Sequence, residues 1–343
     1  MRLLFSIILY MLFTSTAHSQ QEYTVACIAF YNLENLFDTL DTEGVNDFEF
    51  TPAGPNVYNS VVYYDKLKKL SGVISEIGTN YTPDGPALIG VSEIENITVL
   101  EDLVRQPSIA RRNYKIIHQD SKDGRGIDVA LLYQAKYFTP DTTHYYSLIK
   151  SKEGEPVSYS RDILICQGHL LGEPIVISVN HWPSRSGGEQ ATAHLRKKAA
   201  TYNRYFLDSL ATHHQIQNAI VMGDLNDDPT DKSVRECLGG RRSKETLVRN
   251  EMYNPYENYY RKGLGTTAYR NAWSLFDQII ISQSLLDDGS DLKYYKAEIF
   301  NPTYLTQKTG NFKGYPYRSY SFGKYIGGYS DHFPVYVLLV KPK

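Results

Sequence analysis

Short runs of apolar, β-prone residues recur along this chain, and several of them stop on a carboxylate, an amide or an imidazole. Phe30-Tyr31-Asn32, Val91-Ser92-Glu93, Val179-Asn180-His181 and Val221-Met222-Gly223-Asp224-Leu225-Asn226 carry the polar group at the end of the run. Phe276-Asp277-Gln278-Ile279 and Ser330-Asp331-His332-Phe333-Pro334-Val335 carry it at the start. An unpaired ion inside a strand costs several kcal/mol, on the order of any buried lone charge, so such groups belong at the mouth of a sheet and need partners. A rigid sheet can aim them at one ligand. The pattern therefore demands a sheet-based fold whose polar strand ends meet.

The apolar runs predict buried strands over Val25–Tyr31, Ala87–Val91, Ile127–Tyr133, Ile163–Gly168, Ile175–Asn180, Ala219–Met222, Phe276–Ile281 and Pro334–Val340. Helical spacing appears over Tyr64–Ile77, ahead of Gly78, and over Glu189–Leu210, with a shorter helix between Glu95 and Arg112. Many strands with few helices predict an α/β sandwich: two packed sheets with helices outside. No Pro/Gly/Ser-rich linker divides the chain, and the polar strand ends span Asn32 to His332, so one domain over residues 20–343 is expected. Asp38–Asn59 and the tyrosine-rich Asn301–Gly328 read as long loops. Exposed tyrosines there can stack on a base or sugar ring, or pack the loop onto the sheet edge.

Residues 1–19 read as a signal peptide: Arg2, an apolar Leu3–Phe13 too short to span a bilayer, then Ala17-His18-Ser19 as a cleavage site. An exported protein, periplasmic or extracellular and without a stable membrane anchor, is the expectation. Export permits disulfides, yet Cys27, Cys166 and Cys237 cannot form a framework and lack metal-site spacing. Cys27 and Cys166 lie in strand-like runs and are expected as core thiols, with one bridge between them as the alternative. Net charge is −2, so no global basic field advertises a polyanion. No protein partner is indicated.

Glu93 and Asp331, each beside a buried strand, suit a hard cation that prefers oxygen donors. Glu95 shares the side of Glu93 but lies farther from the core. Asp224 and Asn226, two apart, project the same way and can hold an attacking water. Asp277 needs a partner, and His332 is the natural one; the pair would orient the imidazole and keep it charged. His181, at the end of its strand, can polarise a phosphoryl oxygen or donate a proton. Arg125 and Arg185, in glycine-containing loops, are candidate phosphate contacts.

The ordered set Asn32, Ser92-Glu93, His181, Gly223-Asp224-Leu225-Asn226, Asp277 and Ser330-Asp331-His332 resembles the endonuclease/exonuclease/phosphatase superfamily, across nearly the whole mature chain. Its members include pancreatic-type deoxyribonuclease, apurinic endonucleases, inositol-polyphosphate phosphatases and neutral sphingomyelinases. The resemblance implies a four-layered α/β sandwich and hydrolysis of phosphoesters with a divalent cation: Mg²⁺, with Mn²⁺ or Ca²⁺ as alternatives. It implies Asn32, Glu93 and Asp331 around the metal, Asp224 and Asn226 on the water, and His332 with Asp277 on the phosphate. It makes His181 the second histidine of the deoxyribonuclease branch, oriented by a carboxylate for which Asp120 is the nearest match, with Asp123 close by. Ser92 stands where a glutamine is usual. The expected substrate is a phosphate ester, foremost a nucleic acid cut by a nuclease. A phospholipid head group, inositol phosphate or phosphorylated glycan is the alternative, and a non-catalytic binding module is the third reading.

Overall fold

A computed structural model describes residues 21–151, 154–248, 251–287 and 289–343, so the expected leader lies outside the described residues. The chain begins with β1 (Tyr23–Leu36), α1 (Ser60–Glu76), β2 (Pro86–Ile94), α2 (Ile97–Val104), β3 (Tyr114–His118) and β4 (Asp128–Gln134). It continues with β5 (Phe138–Tyr146), β6 (Ile163–Leu170), β7 (Glu173–His181), α3 (Glu189–His213) and β8 (Ala219–Asp224). Then come β9 (Gly240–Arg241), β10 (Met252–Tyr253), α4 (Tyr256–Tyr260), β11 (Thr267–Tyr269), β12 (Ala272–Ser274) and β13 (Asp277–Ser282). The last elements are β14 (Lys293–Ile299), β15 (Tyr320–Ser321), β16 (Lys324–Tyr325) and β17 (Val335–Pro342).

Two mixed sheets result, ordered β14-β17-β1-β2-β4-β3 and β5-β6-β7-β8-β13-β10-β9. Each is built around a parallel pair, β1 with β2 and β7 with β8, and the strands flanking each pair run antiparallel to it. Central strands are buried on both faces, which is why they read as unbroken apolar runs. Alternation along β1 turns Ile28 and Phe30 toward the second sheet, where they meet Ile177, Met222 and Ile279. It turns Ala29 and Tyr31 outward, under Leu67, Leu70 and Ile74 of α1 and Leu100 of α2. On the far side Val176, Val221 and Ile280 take Ala199, Ala200 and Leu207 of α3. The layers are helix, sheet, sheet, helix, as the four-layered sandwich requires.

Local chemistry sets the helix bounds. Asn59 caps α1 by accepting from the Val61 and Val62 amides, and Gly78, at φ +70°, supplies the left-handed residue just past its end. Parity also decides the thiols. Cys27 faces the helix layer and Cys166 the inter-sheet core, so both are free, buried and on different sides of a sheet. Among the described residues no helix is long and apolar enough to cross a membrane.

Candidate active site

Strand direction brings the polar termini together. The C-terminal ends of β1, β2, β7 and β8 share one edge of the sandwich, and β13 and β17, antiparallel to their neighbours, start at that same edge. Register then aligns His181 with Asp224 and Asp224 with Asp277, a row across three adjacent strands. In the other sheet Asn32 pairs with Ser92, and a bulge between Ser92 and Ile94 leaves Glu93 unpaired and re-aimed. Gly223 keeps β8 close to β7, because a Cβ there would lie 2.3 Å from the Asn180 carbonyl oxygen.

Asp224 is the hub. Its Oδ2 accepts from Asn32 Nδ2 at 3.1 Å and lies 3.6 Å from His181 Nε2 and 3.9 Å from His332 Nε2. Its Oδ1 accepts from the Asn226 amide at 3.0 Å. Asp277 Oδ2 meets His332 Nδ1 at 2.6 Å, and Glu93 Oε1 stands 3.9 Å from His181 Nε2. The Ser330 hydroxyl donates to the Asn32 carbonyl at 2.7 Å and accepts from the His332 amide at 3.1 Å, which pins the Ser330-Asp331-His332 turn. Glu34, Asn35, Glu93 and Asn226 all hold φ between 49° and 57°, the left-handed region that non-glycine residues avoid. Strain gathered on one edge is what a site held by its surroundings looks like.

The electrostatics separate the two imidazoles. Burial and the nearby Arg161 and Arg125 cations push His181 well below the usual histidine range, toward the neutral ring. Burial would do the same to His332, but the Asp277 and Asp224 carboxylates outweigh it and hold that ring well above the range. Burial, with Asp277 and Glu93 close, lifts the Asp224 carboxyl to about 7 despite the opposing field of His332. One neutral and one charged imidazole thus flank a crowded carboxylate.

Residues 27–341 match the family described as "Endonuclease/Exonuclease/phosphatase family". The chain belongs to that family. Solved structures share its fold at low identity. An endonuclease/exonuclease/phosphatase family protein from Bacteroides thetaiotaomicron is 17% identical, with 94% of this chain and 97% of that one covered and a TM-score of 0.56. A mannosyl-6-phosphatase from the same species is 17% identical, with 92% and 99% covered and a TM-score of 0.55. D. rerio TDP2 complexed with single strand DNA product is 14% identical, with 92% and 99% covered and a TM-score of 0.54. No curated protein matches the chain.

Members of this family are phosphoester hydrolases, generally dependent on a divalent metal, and the donor set here fits one. Glu93, His181 and Asp224 each offer a donor atom within 4.8 Å of the others, a set of two carboxylates and an imidazole that a divalent cation accepts. Asp331, expected beside Glu93, accepts at Oδ2 from the Arg318 guanidinium at 2.7 Å. The reason lies in the tyrosine-rich loop, which delivers Arg318 to the turn. Gly328 lets that loop pass, since a Cβ there would lie 2.0 Å from the Arg318 carbonyl oxygen.

Two other expectations change. Asp120 does not orient His181. It is 77% exposed and stands 3.8 Å from His118 Nε2, while His181 Nδ1 is buried without a hydrogen-bond partner among the described residues. The loop after β3 turns its inward position over to Asp123, which accepts from the Arg125 amide at 3.0 Å and lies 3.6 Å from Arg161. Arg185 is no free phosphate contact. It donates to the Asn226 carbonyl at 2.8 Å and pairs with Asp231 at 2.7 Å and Glu189 at 3.0 Å, tying down the loop that follows β8. Arg125 does reach the edge, donating to Asn35 Oδ1 at 3.0 Å.

Three buried groups escaped the sequence reading. Arg161 is buried and donates to the Trp182 carbonyl at 2.7 Å, next to His181. Lys66, on the apolar stripe of α1 between Val62 and Leu70, donates to the Glu34 carbonyl at 2.6 Å and the Ser319 hydroxyl at 3.0 Å. Glu34 accepts from the Ser319 amide at 2.7 Å, and burial together with Asp331 lifts its carboxyl to about 7. A lysine on an otherwise apolar helical stripe was the available signal for Lys66. Arg161, beside a polar loop, offered none.

Proposed function

We propose that this protein is an exported, divalent-metal-dependent phosphodiesterase that cleaves nucleic acid. The observation that carries the reading is the row His181, Asp224, Asp277 on adjacent strands, with His332 locked onto Asp277 at 2.6 Å. Family membership supports hydrolysis of a phosphoester.

The groups divide the work. Asp224 Oδ2 can accept a proton from an attacking water, and Asn226 can help to orient it. The Asn226 side-chain Nδ2 donates to the Trp182 carbonyl at 3.0 Å, which leaves its Oδ1 as an acceptor for that water. His332, oriented through Nδ1, presents Nε2 to a phosphoryl oxygen and holds the charge that develops there. His181 presents Nε2 from the opposite side. A divalent cation held by Glu93 and Asp224, with Asn32 beside them, would withdraw charge from a non-bridging oxygen. Water adds to phosphorus as Asp224 takes its proton, one P–O bond breaks, and the leaving alkoxide takes a proton from the His332 imidazolium to become an alcohol.

The test uses the purified mature chain with plasmid DNA, single-stranded DNA, RNA, bis-(p-nitrophenyl) phosphate, p-nitrophenyl phosphate and sphingomyelin, each with Mg²⁺, Mn²⁺ or EDTA. Cleavage of diesters that EDTA stops and Asp224→Ala abolishes is the expected result. Activity that survives both sinks the mechanism, and cleavage of monoesters alone replaces the nuclease with a phosphatase. N-terminal sequencing of the secreted product, with Gln20 first, checks the export.

A further inference from the structure

The 301–328 segment and the β11–β12 hairpin enclose a cavity of about 370 Å³ whose edge is Asp331, the residue before His332. Its walls are mostly apolar, and Tyr269, Phe312, Tyr315 and Phe322 form them. Phe322 is 91% exposed and Tyr269 72%, although neither supports the core. Large aromatic rings left in solvent and facing one concavity mark a ligand surface rather than a folding need.

The walls are cross-linked before any ligand arrives. The Tyr315 hydroxyl accepts from the Asn271 amide at 2.9 Å and donates to Asn271 Oδ1 at 3.0 Å, joining the loop to the hairpin turn. Trp273 meets Tyr315 edge-on at 5.7 Å and stacks on Phe333 at 6.1 Å, so the wall is continuous with the catalytic turn. Two cations sit at the cavity: Arg270, stacked 5.1 Å from the Tyr269 ring, and Arg318 on Asp331.

We infer that this pocket seats one unpaired nucleobase of a single-stranded nucleic acid while its phosphate lies at His332. The inference rests on the phosphodiesterase reading and names its substrate. Flat π-faces and a guanidinium bind planar rings of any base. A base can enter such a pocket only when it is out of the helix. Net charge of −2 offers no strong basic grip on phosphate, duplex or single-stranded, so the base itself must supply the hold. Per-base stacking replaces the missing electrostatic grip.

Two measurements decide it. Cleavage of a single-stranded oligonucleotide is compared with the same strand carrying a tetrahydrofuran abasic residue at the cleaved position. The normal strand should be preferred about tenfold or more in kcat/KM, and Tyr269→Ala with Phe322→Ala should bring that ratio near one. Equal cleavage of both strands by the native protein, or a ratio unchanged in the double variant, overturns the inference. The second measurement is the part of the tryptophan fluorescence that Trp273→Phe removes, read in EDTA and titrated with AMP, ribose 5-phosphate or phosphatidylcholine vesicles. Quenching by AMP but not by ribose 5-phosphate, lost in the double variant, supports it. Equal responses, no response to AMP, or a response only to vesicles overturns it. If no phosphoester is cleaved, the phosphodiesterase reading has failed by itself, and the fluorescence still decides the pocket.

Discussion

The floor of the site and its aromatic wall are built on opposite terms. Asp277 is fully buried and Asp224 2% exposed; both belong to paired strands, and the Oδ2 of each faces a named partner. Phe322 and Tyr269 stand in solvent on loops and a short hairpin, held by a few contacts at their base. A change on the floor disturbs charge inside a low-dielectric edge, where each group is worth much. A change on the wall removes stacking area and little else. Reaction and selectivity are therefore separable in this molecule.

The sharpest way to break that division is to cut the floor. Asp224→Asn and His332→Ala should each lower kcat on a diester by about two orders of magnitude or more, measured beside circular dichroism that shows the fold intact. Removal of divalent metal by EDTA should have an effect at least as large on activity, restored by Mg²⁺ or Mn²⁺. Full activity in chelated enzyme would merge floor and wall into a different mechanism.

Next in size is the support beneath the floor. Arg196 is fully buried and bonds Asp227 Oδ1 at 2.6 Å, within the same loop network that Arg185 ties to Asn226. Arg196→Ala takes the nearest cation from Asp227, which keeps Arg185 at 3.2 Å and the Ser233 hydroxyl at 2.5 Å, and should cost about 1–3 kcal/mol in urea unfolding. Phe322→Ala should move stability by no more than about 0.5 kcal/mol. A comparable loss at Phe322 would mean that the wall is part of the core after all. The smallest effect concerns thiols. Burial pushes the Cys166 thiol up to about 11 and Cys27 higher still, so in the native protein only Cys237 should react with a thiol reagent at pH 8. Labelling of all three without denaturant would show that the layers open.

Legibility followed burial. The central strands β1, β2, β7, β8, β13 and β17 announced themselves as apolar runs because both faces are covered. The outer strands β3, β5 and β14 did not. Phe138–Tyr146 carries Pro, Asp and three threonines on a half-exposed edge, and Lys293–Ile299 mixes lysines with tyrosines. Asn32, Glu93, His181, Asp224, Asp277 and His332 were visible because each interrupts an apolar run where an unpartnered polar group would be costly. Arg161 interrupts nothing in that way, and Lys66 interrupts a helical stripe rather than a strand. Their burial arises from packing between segments distant along the chain.

What the sequence determined by itself was the chemistry: which strands are buried, which polar groups end them, and hence that an acid, an amide and two imidazoles must meet. Alternation and desolvation are local rules, and they need no fold to apply. Tertiary structure decided the assignments. Strand direction placed the start of β13 opposite the end of β8, a loop returned Arg318 to Asp331, and Asp123 rather than Asp120 turned inward beside Arg161. The same return built the aromatic wall. Such pairings depend on where the chain comes back to itself, which no run of neighbouring residues encodes.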